Sequence, residues 1–325
     1  MATTSKKSTT KPKAKTTTKS KKPAVKKTAK KSVTVSKSTK STKTTIGKAS
    51  SKESAVKKST KVTKVSTPES KIKSLRKWNF VMAFLHFIQG VAIVILSKDS
   101  LFPVSTSYLT TDSLASTDGA PVLVNATRNL FDVNLAYVVA AFLFMSAIAH
   151  LYMATVYRKK YEQNLLKGIN RVRWYEYGIS ASTMMIAISM LSGVQDLSTL
   201  VVIFGATLVM NLCGLIMEVH NQAAEKTNWL SYKVGTIAGL LPWVVVTIYI
   251  LGSNQYGDGT IPGFVYAIYA SLFLFFSSFA LNMYLQYKGK GKWADYLYGE
   301  KVYMILSLVA KSALAWQVFF GSLRP

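Results

Sequence analysis

Residues 303–321, YMILSLVAKSALAWQVFFG, decide the fold of this chain. The stretch is apolar and long enough to cross the hydrocarbon core of a bilayer as one helix, which takes about 20 residues. One charge interrupts it, because Lys311 lies ten residues before Gly321, about 15 Å from that end at 1.5 Å per residue. A lysine at such a depth is costly, so it marks a functional site.

Working backwards from this segment, the chain is a series of similar apolar stretches. The candidate spans are 78–97, 131–157, 172–193, 197–219, 230–251, 262–287 and 296–321. A buried core helix would explain any one of them, but it does not explain seven in series. The sequence therefore predicts an all-α membrane protein, a bundle of seven transmembrane helices over residues 78–325.

Residues 1–77 have a different composition. They contain 25 of the 41 Lys and Arg residues and only two acids, so they carry +23 of the net charge of +27. A segment rich in Lys, Ser and Thr buries too little apolar surface to fold, and we predict that it is disordered. Three roles stay open: a solvated arm, a clamp on anionic lipid, or a tether for nucleic acid or another polyanion. With no cleavable signal peptide in evidence, the first apolar segment is expected to act as the signal anchor.

The basic residues of the loops lie on one side of the predicted bundle. Together with the tail, that side carries Arg158, Lys159, Lys160, Lys167, Arg171, Arg173, Lys226, Lys233, Lys288, Lys290, Lys292 and Lys301. The positive-inside rule then predicts a cytoplasmic N-terminus and an outside C-terminus. The sequon Asn125-Ala126-Thr127 falls in the outside loop 98–130, where segments 102–109 and 121–124 are predicted to pair as a short β-hairpin.

Several polar side chains are expected together on the cytoplasmic side of Lys311. Glu176, in the basic-side half of the third span, is its natural partner, although it also lies one turn from Arg173. A Lys–Glu pair that merely holds helices together is the structural alternative. The remaining polar groups are predicted to line a hydrated cavity. They are His86, Ser146, His150, Asn79 and Asn170.

Aromatic residues supply walls for a pocket around Lys311. They include Trp316, the pair Pro242-Trp243, and Phe273, Phe275, Phe276 and Phe279. An apolar slot closed by one lysine suits a polyene aldehyde, which an amine binds as a Schiff base. A single cysteine, Cys213, and three histidines leave little for a metal site or a disulfide framework. The sequence shows no nucleophile–base pair, so no enzyme is predicted.

The motifs RWYEY (173–177), Pro242-Trp243 and SLVAKSALAW (307–316), together with His86, Ser146 and His150, resemble those of heliorhodopsins. The resemblance covers residues 78–325 and excludes the tail. It implies a rhodopsin-like fold with an inverted orientation, and all-trans-retinal on Lys311 as a protonated Schiff base with Glu176 as the sole carboxylate counterion. It also implies Ser307 in the place of a pump's second carboxylate, and a homodimer with contacts from loop 98–130.

The expected retinal site is a set of nine residues. They are Lys311, Glu176, Ser307, Trp316, Ser180, Met184, Pro242, Trp243 and Phe276. The expected function is light sensing with a slow photocycle and no pumping. One alternative is a light-gated proton channel that uses Glu176, the histidines, and Glu218 or Asp258. A weaker alternative is a membrane tether whose tail binds polyanions.

Overall fold

The computed structural model describes residues 67–117, 119–257 and 261–325. Within these ranges the chain forms a long β-hairpin and eight α-helices. The helices are α1 (Pro68–Leu96), α2 (Leu135–Ala154), α3 (Arg158–Leu166), α4 (Arg171–Leu191), α5 (Leu197–His220), α6 (Leu230–Tyr256), α7 (Gly263–Tyr287) and α8 (Tyr296–Val318). A π-helical segment, Phe319–Leu323, continues α8, and a 3₁₀ turn, Gly291–Ala294, precedes it.

Helix α1 begins ten residues earlier than the predicted span, so the prediction of disorder is wrong for residues 68–77. Thr67 caps the helix by accepting a hydrogen bond from the backbone N–H of Ser70, and Pro68 occupies the first turn. Ile72 and Leu75 are then buried against the bundle. The burial of these two apolar side chains stabilises helical structure in residues 68–77, which their charges alone had suggested to be part of the disordered tail. The predicted disorder of residues 1–66 lies outside the described residues.

Six of the described helices are long and apolar enough to cross a membrane. They are α1, α2, α5, α6, α7, and α8 together with its extension to Leu323. Helix α4 is different, because its first two turns carry Arg171, Arg173 and Glu176. It nevertheless packs inside the bundle against α2, α5, α6 and α7.

The helices form a closed ring of neighbours. Helix α1 packs against α2 and α8, α2 against α4, α4 against α5, α5 against α6, and α7 against α8. Aromatic side chains join α6 to α7. The ring of Trp243 meets those of Tyr269, Phe273 and Phe276 edge-on, with centroids 5.3–5.7 Å apart.

Strands β1 (Leu101–Thr111) and β2 (Leu123–Asn134) pair antiparallel in the loop between α1 and α2, with an irregularity after Val104. They are longer than the segments 102–109 and 121–124 that the sequence suggested. Residues 131–134, predicted as part of the second span, therefore belong to a strand. Helix α2 starts only at Leu135, where Asn134 caps it by accepting from the N–H of Ala136.

The bundle has two distinct ends. At the hairpin end, the N–H of Ser105 donates to the carbonyl of Gln195 (2.9 Å), and the N–H of Lys98 donates to the carbonyl of Leu323 (2.8 Å). The opposite end, called the basal end here, comprises the start of α1 and the connections 155–170, 221–229 and 288–295. It also contains the basic helix α3.

Apolar side chains cover both the inside and the outside of this bundle. The largest buried cluster runs between the helices toward the hairpin end and includes Leu143, Ile188, Val246 and Leu314. Large apolar residues also point outward along the spans; Phe84 is 62% exposed. Such an outer surface matches lipid rather than water.

Candidate functional site

The side chain of Lys311 is buried at the middle of α8. Its Nζ donates to Glu176 Oε1 at 3.0 Å and to Ser307 Oγ at 2.9 Å. Ser307 lies one turn earlier on the same helix, so the i, i+4 spacing places its hydroxyl beside the amine. Nζ also lies 5.1 Å from the centroid of the Tyr177 ring. The structure thus brings together the predicted pair of Lys311 and Glu176.

Glu176 reaches this position from α4, on the side that faces α2. Its Oε1 also accepts a hydrogen bond of 2.6 Å from Ser146 Oγ. The alternative pairing with Arg173 is not formed, because the guanidinium of Arg173 contacts Glu218 and Glu300 instead. A buried ammonium next to a buried carboxylate keeps the site neutral overall, which is the condition for placing charges in a low-dielectric interior.

Two histidines lie near this ion pair. The rings of His86 and His150 stack with centroids 5.8 Å apart, and Nδ1 of His150 lies 2.7 Å from Asn79 Oδ1. The amide nitrogen of Asn79 donates to the hydroxyl of Tyr161 at 3.2 Å. Among the described residues, neither ring nitrogen of His86 has a hydrogen-bond partner. Buried polar atoms without partners in a membrane interior are typical of a hydrated site.

Asn170 was predicted to join this polar group, but the structure places it elsewhere. It is the N-cap of α4, and its side chain donates to Glu300 at 2.9 Å. The prediction rested on depth along the bundle, and depth does not fix which neighbour a side chain faces. Ser146, His86, His150 and Asn79 are the four predicted residues that the structure does bring together.

An apolar cavity adjoins Lys311 between α4, α5, α6, α7 and α8. Six of the residues named from the sequence line it: Met184, Trp243, Phe275, Phe276, Phe279 and Ser307. Gly239 lets the walls approach closely, since a Cβ there would lie 2.3 Å from Met210 Sδ. The cavity is therefore a narrow slot with the amine at one point of its wall.

Besides Glu176, which contacts Lys311 directly, four residues predicted for the pocket do not line this cavity: Trp316, Ser180, Pro242 and Phe273. Trp316 follows Lys311 by five residues, which turns it about 140° around the helix at 3.6 residues per turn. Its indole N–H donates to Gln89 on α1 at 3.1 Å, away from the slot. Ser180 is buried one turn after Glu176, and Pro242 lies inside α6 next to Trp243.

Comparison with known proteins identifies the family. The heliorhodopsin family model matches residues 75–323.

The chain belongs to the heliorhodopsin family.

Among solved structures, the chain is similar to the crystal structure of a light-driven proton pump from Leptosphaeria maculans, with a TM-score of 0.52 and 15% identity over 75% of this chain and 94% of that chain. At this identity the likeness shows the fold, which is that of a microbial rhodopsin. No curated protein sequence matches the chain. As a member of the heliorhodopsin family, the chain is an integral multi-pass membrane protein that responds to light through retinal.

The slot meets the requirements of the retinal that heliorhodopsins bind. It offers a buried primary amine, Lys311 Nζ, with a carboxylate at 3.0 Å to balance a positive charge there. Its walls are aromatic and thioether side chains, which pack well against a conjugated chain. Within residues 67–117, 119–257 and 261–325, no three His, Cys, Asp or Glu side chains group to hold a metal ion.

Sequence reasoning missed a second buried charged cluster in this heliorhodopsin. Arg173 contacts both Glu218 and Glu300, and its guanidinium lies 4.6 Å and 4.1 Å from the ring centroids of Trp174 and Tyr303. Glu218 and Glu300 fall near the ends of the predicted spans 197–219 and 296–321. The available signal was that one arginine and two glutamates all fall at the basal end of apolar spans, where charges tend to pair.

Proposed function

We propose that the chain is a light sensor in which retinal is attached to Lys311 as a protonated Schiff base, with Glu176 as the counterion. The observation that carries the proposal is the 3.0 Å contact between Lys311 Nζ and Glu176 Oε1 inside the bundle. When bound, retinal supplies a light-driven isomerisation next to this nitrogen. The all-trans isomer is part of the proposal.

The surrounding residues have separate roles. Glu176 balances the positive charge at the Lys311 nitrogen, and the hydroxyl of Ser146 stabilises that carboxylate by donating to it. Ser307 accepts a hydrogen bond from the nitrogen but carries no charge of its own. A proton on the nitrogen can therefore move to Glu176, and the stacked histidines beyond it tune how readily it does so.

The arrangement favours sensing over pumping. Toward the hairpin end, the residues of α8 beyond Lys311 that face the bundle are apolar and fully buried: Leu314, Ala315 and Val318. A pump needs proton acceptors and donors on both sides of the nitrogen. Within the described part of the chain, the buried carboxylates Glu176, Glu218 and Glu300 all lie on the basal side of this apolar region.

Helix α4 is proposed as the seventh membrane span, since it holds the counterion in the centre of the ring. The orientation proposed has the basal end in the cytoplasm and the hairpin outside. The basic side chains Arg158, Lys159 and Lys160 of α3 lie at the basal end, which fits the positive-inside rule.

Reconstitution with retinal tests the proposal directly. The wild-type protein should form a visible pigment with all-trans-retinal, and Lys311→Ala should form none. Lys301→Ala is the matched control, because this lysine lies on the same helix with its Nζ over the ring of Trp78, at 4.8 Å from the centroid. A Lys311→Ala protein that still gives a red-shifted retinal band would overturn the assignment.

A light-gated proton channel is the second candidate. It is favoured by the polar side chains that continue from Glu176 and Ser146 to His150, Asn79 and Tyr161 toward the basal end. Asp258, which had been considered for such a path, lies outside the described residues. Voltage clamp under illumination separates the two functions: a sensor gives no photocurrent, and a channel gives a current that reverses with driving force.

A homodimer through loop 98–130 is part of the proposal. The hairpin presents exposed apolar side chains, with Leu101 at 63% and Leu109 at 65% exposure. Such a surface is typical of protein–protein contacts.

The polyanion tether stays the weakest alternative, and it predicts a function that survives the loss of retinal. Residues 1–66 of its tail lie outside the described residues.

A further inference from the structure

The slot beside Lys311 has one wall that is not purely apolar. Helix α8, which carries Lys311, packs mainly against α1 and α7, whereas α5 and α6 pack against each other on the far side of the ring of helices. A polyene aldehyde held at Lys311 by its aldehyde end therefore places its other end, the ring, against α5 and α6. The polar side chains that α5 and α6 present to the slot include Thr207, Asn211, Ser231, Tyr232 and Thr236.

Asn211 is the residue of this far wall whose hydrogen bonds are incomplete. It is buried, with 6% of its surface exposed. Its Nδ2 donates to the backbone carbonyl of Thr207, one turn earlier on α5, at 2.9 Å. Within the described part of the chain, no group donates a hydrogen bond to its Oδ1. A buried amide oxygen without a donor costs free energy, so the molecule that fills the slot is expected to supply one.

The hydroxyl groups of the far wall do not supply that donor. Each donates elsewhere: Thr207 to the carbonyl of Ile203 (2.9 Å), Ser231 to Sδ of Met217 (3.5 Å), Tyr232 to the carbonyl of Ala280 (3.2 Å) and Thr236 to the carbonyl of Tyr232 (2.8 Å). A hydroxyl group has a single hydrogen, so all four are already committed. The far wall therefore offers acceptors to a ligand.

We propose that the slot takes a retinal that carries a hydroxyl group on its ring, and that Asn211 binds this hydroxyl. The hydroxyl donates to Oδ1 and can accept from the second hydrogen of Nδ2, so one ligand group completes the amide. A keto group only accepts, and it would leave Oδ1 without a donor. The proposal rests on the proposed function, because it places the aldehyde end of the ligand at Lys311.

A water molecule held at Asn211 is the competing explanation, since water also donates to an amide oxygen. The two explanations differ in what they predict for binding. With a water at Asn211, retinal with and without a ring hydroxyl should bind equally well. With a direct hydrogen bond, the hydroxylated form should bind more tightly, and the difference should depend on Asn211.

Competitive reconstitution tests this preference. The retinal-free wild type is equilibrated with equal amounts of all-trans-retinal and one ring-hydroxylated analogue, 3-hydroxyretinal or 4-hydroxyretinal, and the bound chromophores are extracted and separated. At least one analogue should exceed retinal by about threefold to tenfold, the range for one hydrogen bond between neutral groups. Asn211→Leu should remove the preference. The matched control is Asn254→Leu, the same change at an exposed position where Asn254 accepts from the hydroxyl of Tyr266 at 2.7 Å, and it should keep the preference.

Two outcomes of this competition overturn the proposal. One is a wild type that binds neither analogue better than retinal, which is the result expected for a water at Asn211. The other is an Asn211→Leu protein that keeps the wild-type preference.

Binding of the corresponding alcohols separates this proposal from the light-sensing function. Retinol and its ring-hydroxylated analogues have no aldehyde, so they form no covalent bond to Lys311. Because Trp243 lines the slot, a bound alcohol should quench tryptophan fluorescence of the retinal-free protein. In the wild type, the preferred hydroxylated analogue should quench at about threefold to tenfold lower concentration than retinol, and in Asn211→Leu the difference should vanish.

Equal quenching curves in the wild type overturn the proposal. If no aldehyde forms a pigment, the light-sensing function fails, while the comparison of the alcohols still decides the ring preference. If Asn211→Leu fails to fold, the two wild-type comparisons decide alone.

Discussion

Replacing Glu176 by glutamine removes the negative charge that lies 3.0 Å from Lys311 Nζ while it keeps a side chain of the same shape. Two unit charges at that distance interact by about 5.5 kcal/mol at an effective dielectric constant of 20. This is an upper bound, because the amide oxygen and the hydroxyl of Ser307 still accept hydrogen bonds from the nitrogen. It corresponds to about four pH units in the titration of the retinal-bound nitrogen.

The assay is a spectroscopic pH titration of purified pigment. In Glu176→Gln, the visible band should convert to a near-ultraviolet band at a lower pH than in the wild type. Where the nitrogen stays protonated, the band should shift to the red, since the anion that stabilised the ground state is gone. Chloride should partly restore the protonated form by entering the vacated site.

The matched control is Glu162→Gln, which removes a carboxylate paired with Arg158 on the surface of α3. It should leave both the absorption maximum and the titration midpoint unchanged. If Glu176→Gln also leaves both unchanged, Glu176 is not the counterion, and the contact between Glu176 and Lys311 is then only a structural ion pair.

Three further predictions concern topology and stability. In a glycosylating host, Asn125 should be modified, and protease added to intact cells should leave the tail in place. Asp196→Ala removes the N-cap of α5 and should lower the free energy of unfolding by about 1 kcal/mol, measured by thermal denaturation. The hydroxyl of Ser198 holds the pKa of Asp196 below its usual value. The stabilisation by this cap is therefore present at neutral pH and is lost as the pH falls through the lowered pKa. Gly214→Ala would place a Cβ 2.3 Å from the ring of Trp174 and should cost about 1–3 kcal/mol, measured as earlier thermal bleaching.

Controls on the same elements sharpen these tests. Gly205→Ala adds a methyl group to α5 where no atom lies within 4 Å, so it should not destabilise the protein through a clash. Equal bleaching temperatures for Gly205→Ala and Gly214→Ala would contradict the packing argument. Tail cleavage from outside intact cells would reverse the proposed orientation. A stability difference between wild type and Asp196→Ala that does not change with pH would contradict the role of an ionised cap.

Much of the architecture can be predicted from the sequence. Apolar length locates the six helices that are long enough to cross a membrane, and depth along the spans pairs Lys311 with Glu176. Composition is a poorer guide at the boundaries. The start of α1 at Pro68 depends on a cap and on the burial of Ile72 and Leu75, and the start of α2 depends on how far a strand continues. Neither is visible in a hydropathy pattern.

The rotation of each helix and the identity of its neighbours account for the remaining differences. Trp316 was placed by its distance along the chain, yet about 140° of helix rotation turns it toward α1. Asn170, Glu218 and Glu300 meet because α4, α5 and α8 converge at the basal end. A single sequence gives the depth of each residue but not the sideways contacts between helices, and the second charged cluster consists of such contacts.

The backbone hydrogen bonds at the hairpin end have a mechanical consequence. The bond from Lys98 to Leu323 ties the end of the first span to the end of the last, and the bond from Ser105 to Gln195 fastens the hairpin over the turn between α4 and α5. Each bond joins two backbone segments directly, without a side chain that could change rotamer. A displacement of the last span at the hairpin end is therefore expected to carry the end of the first span with it.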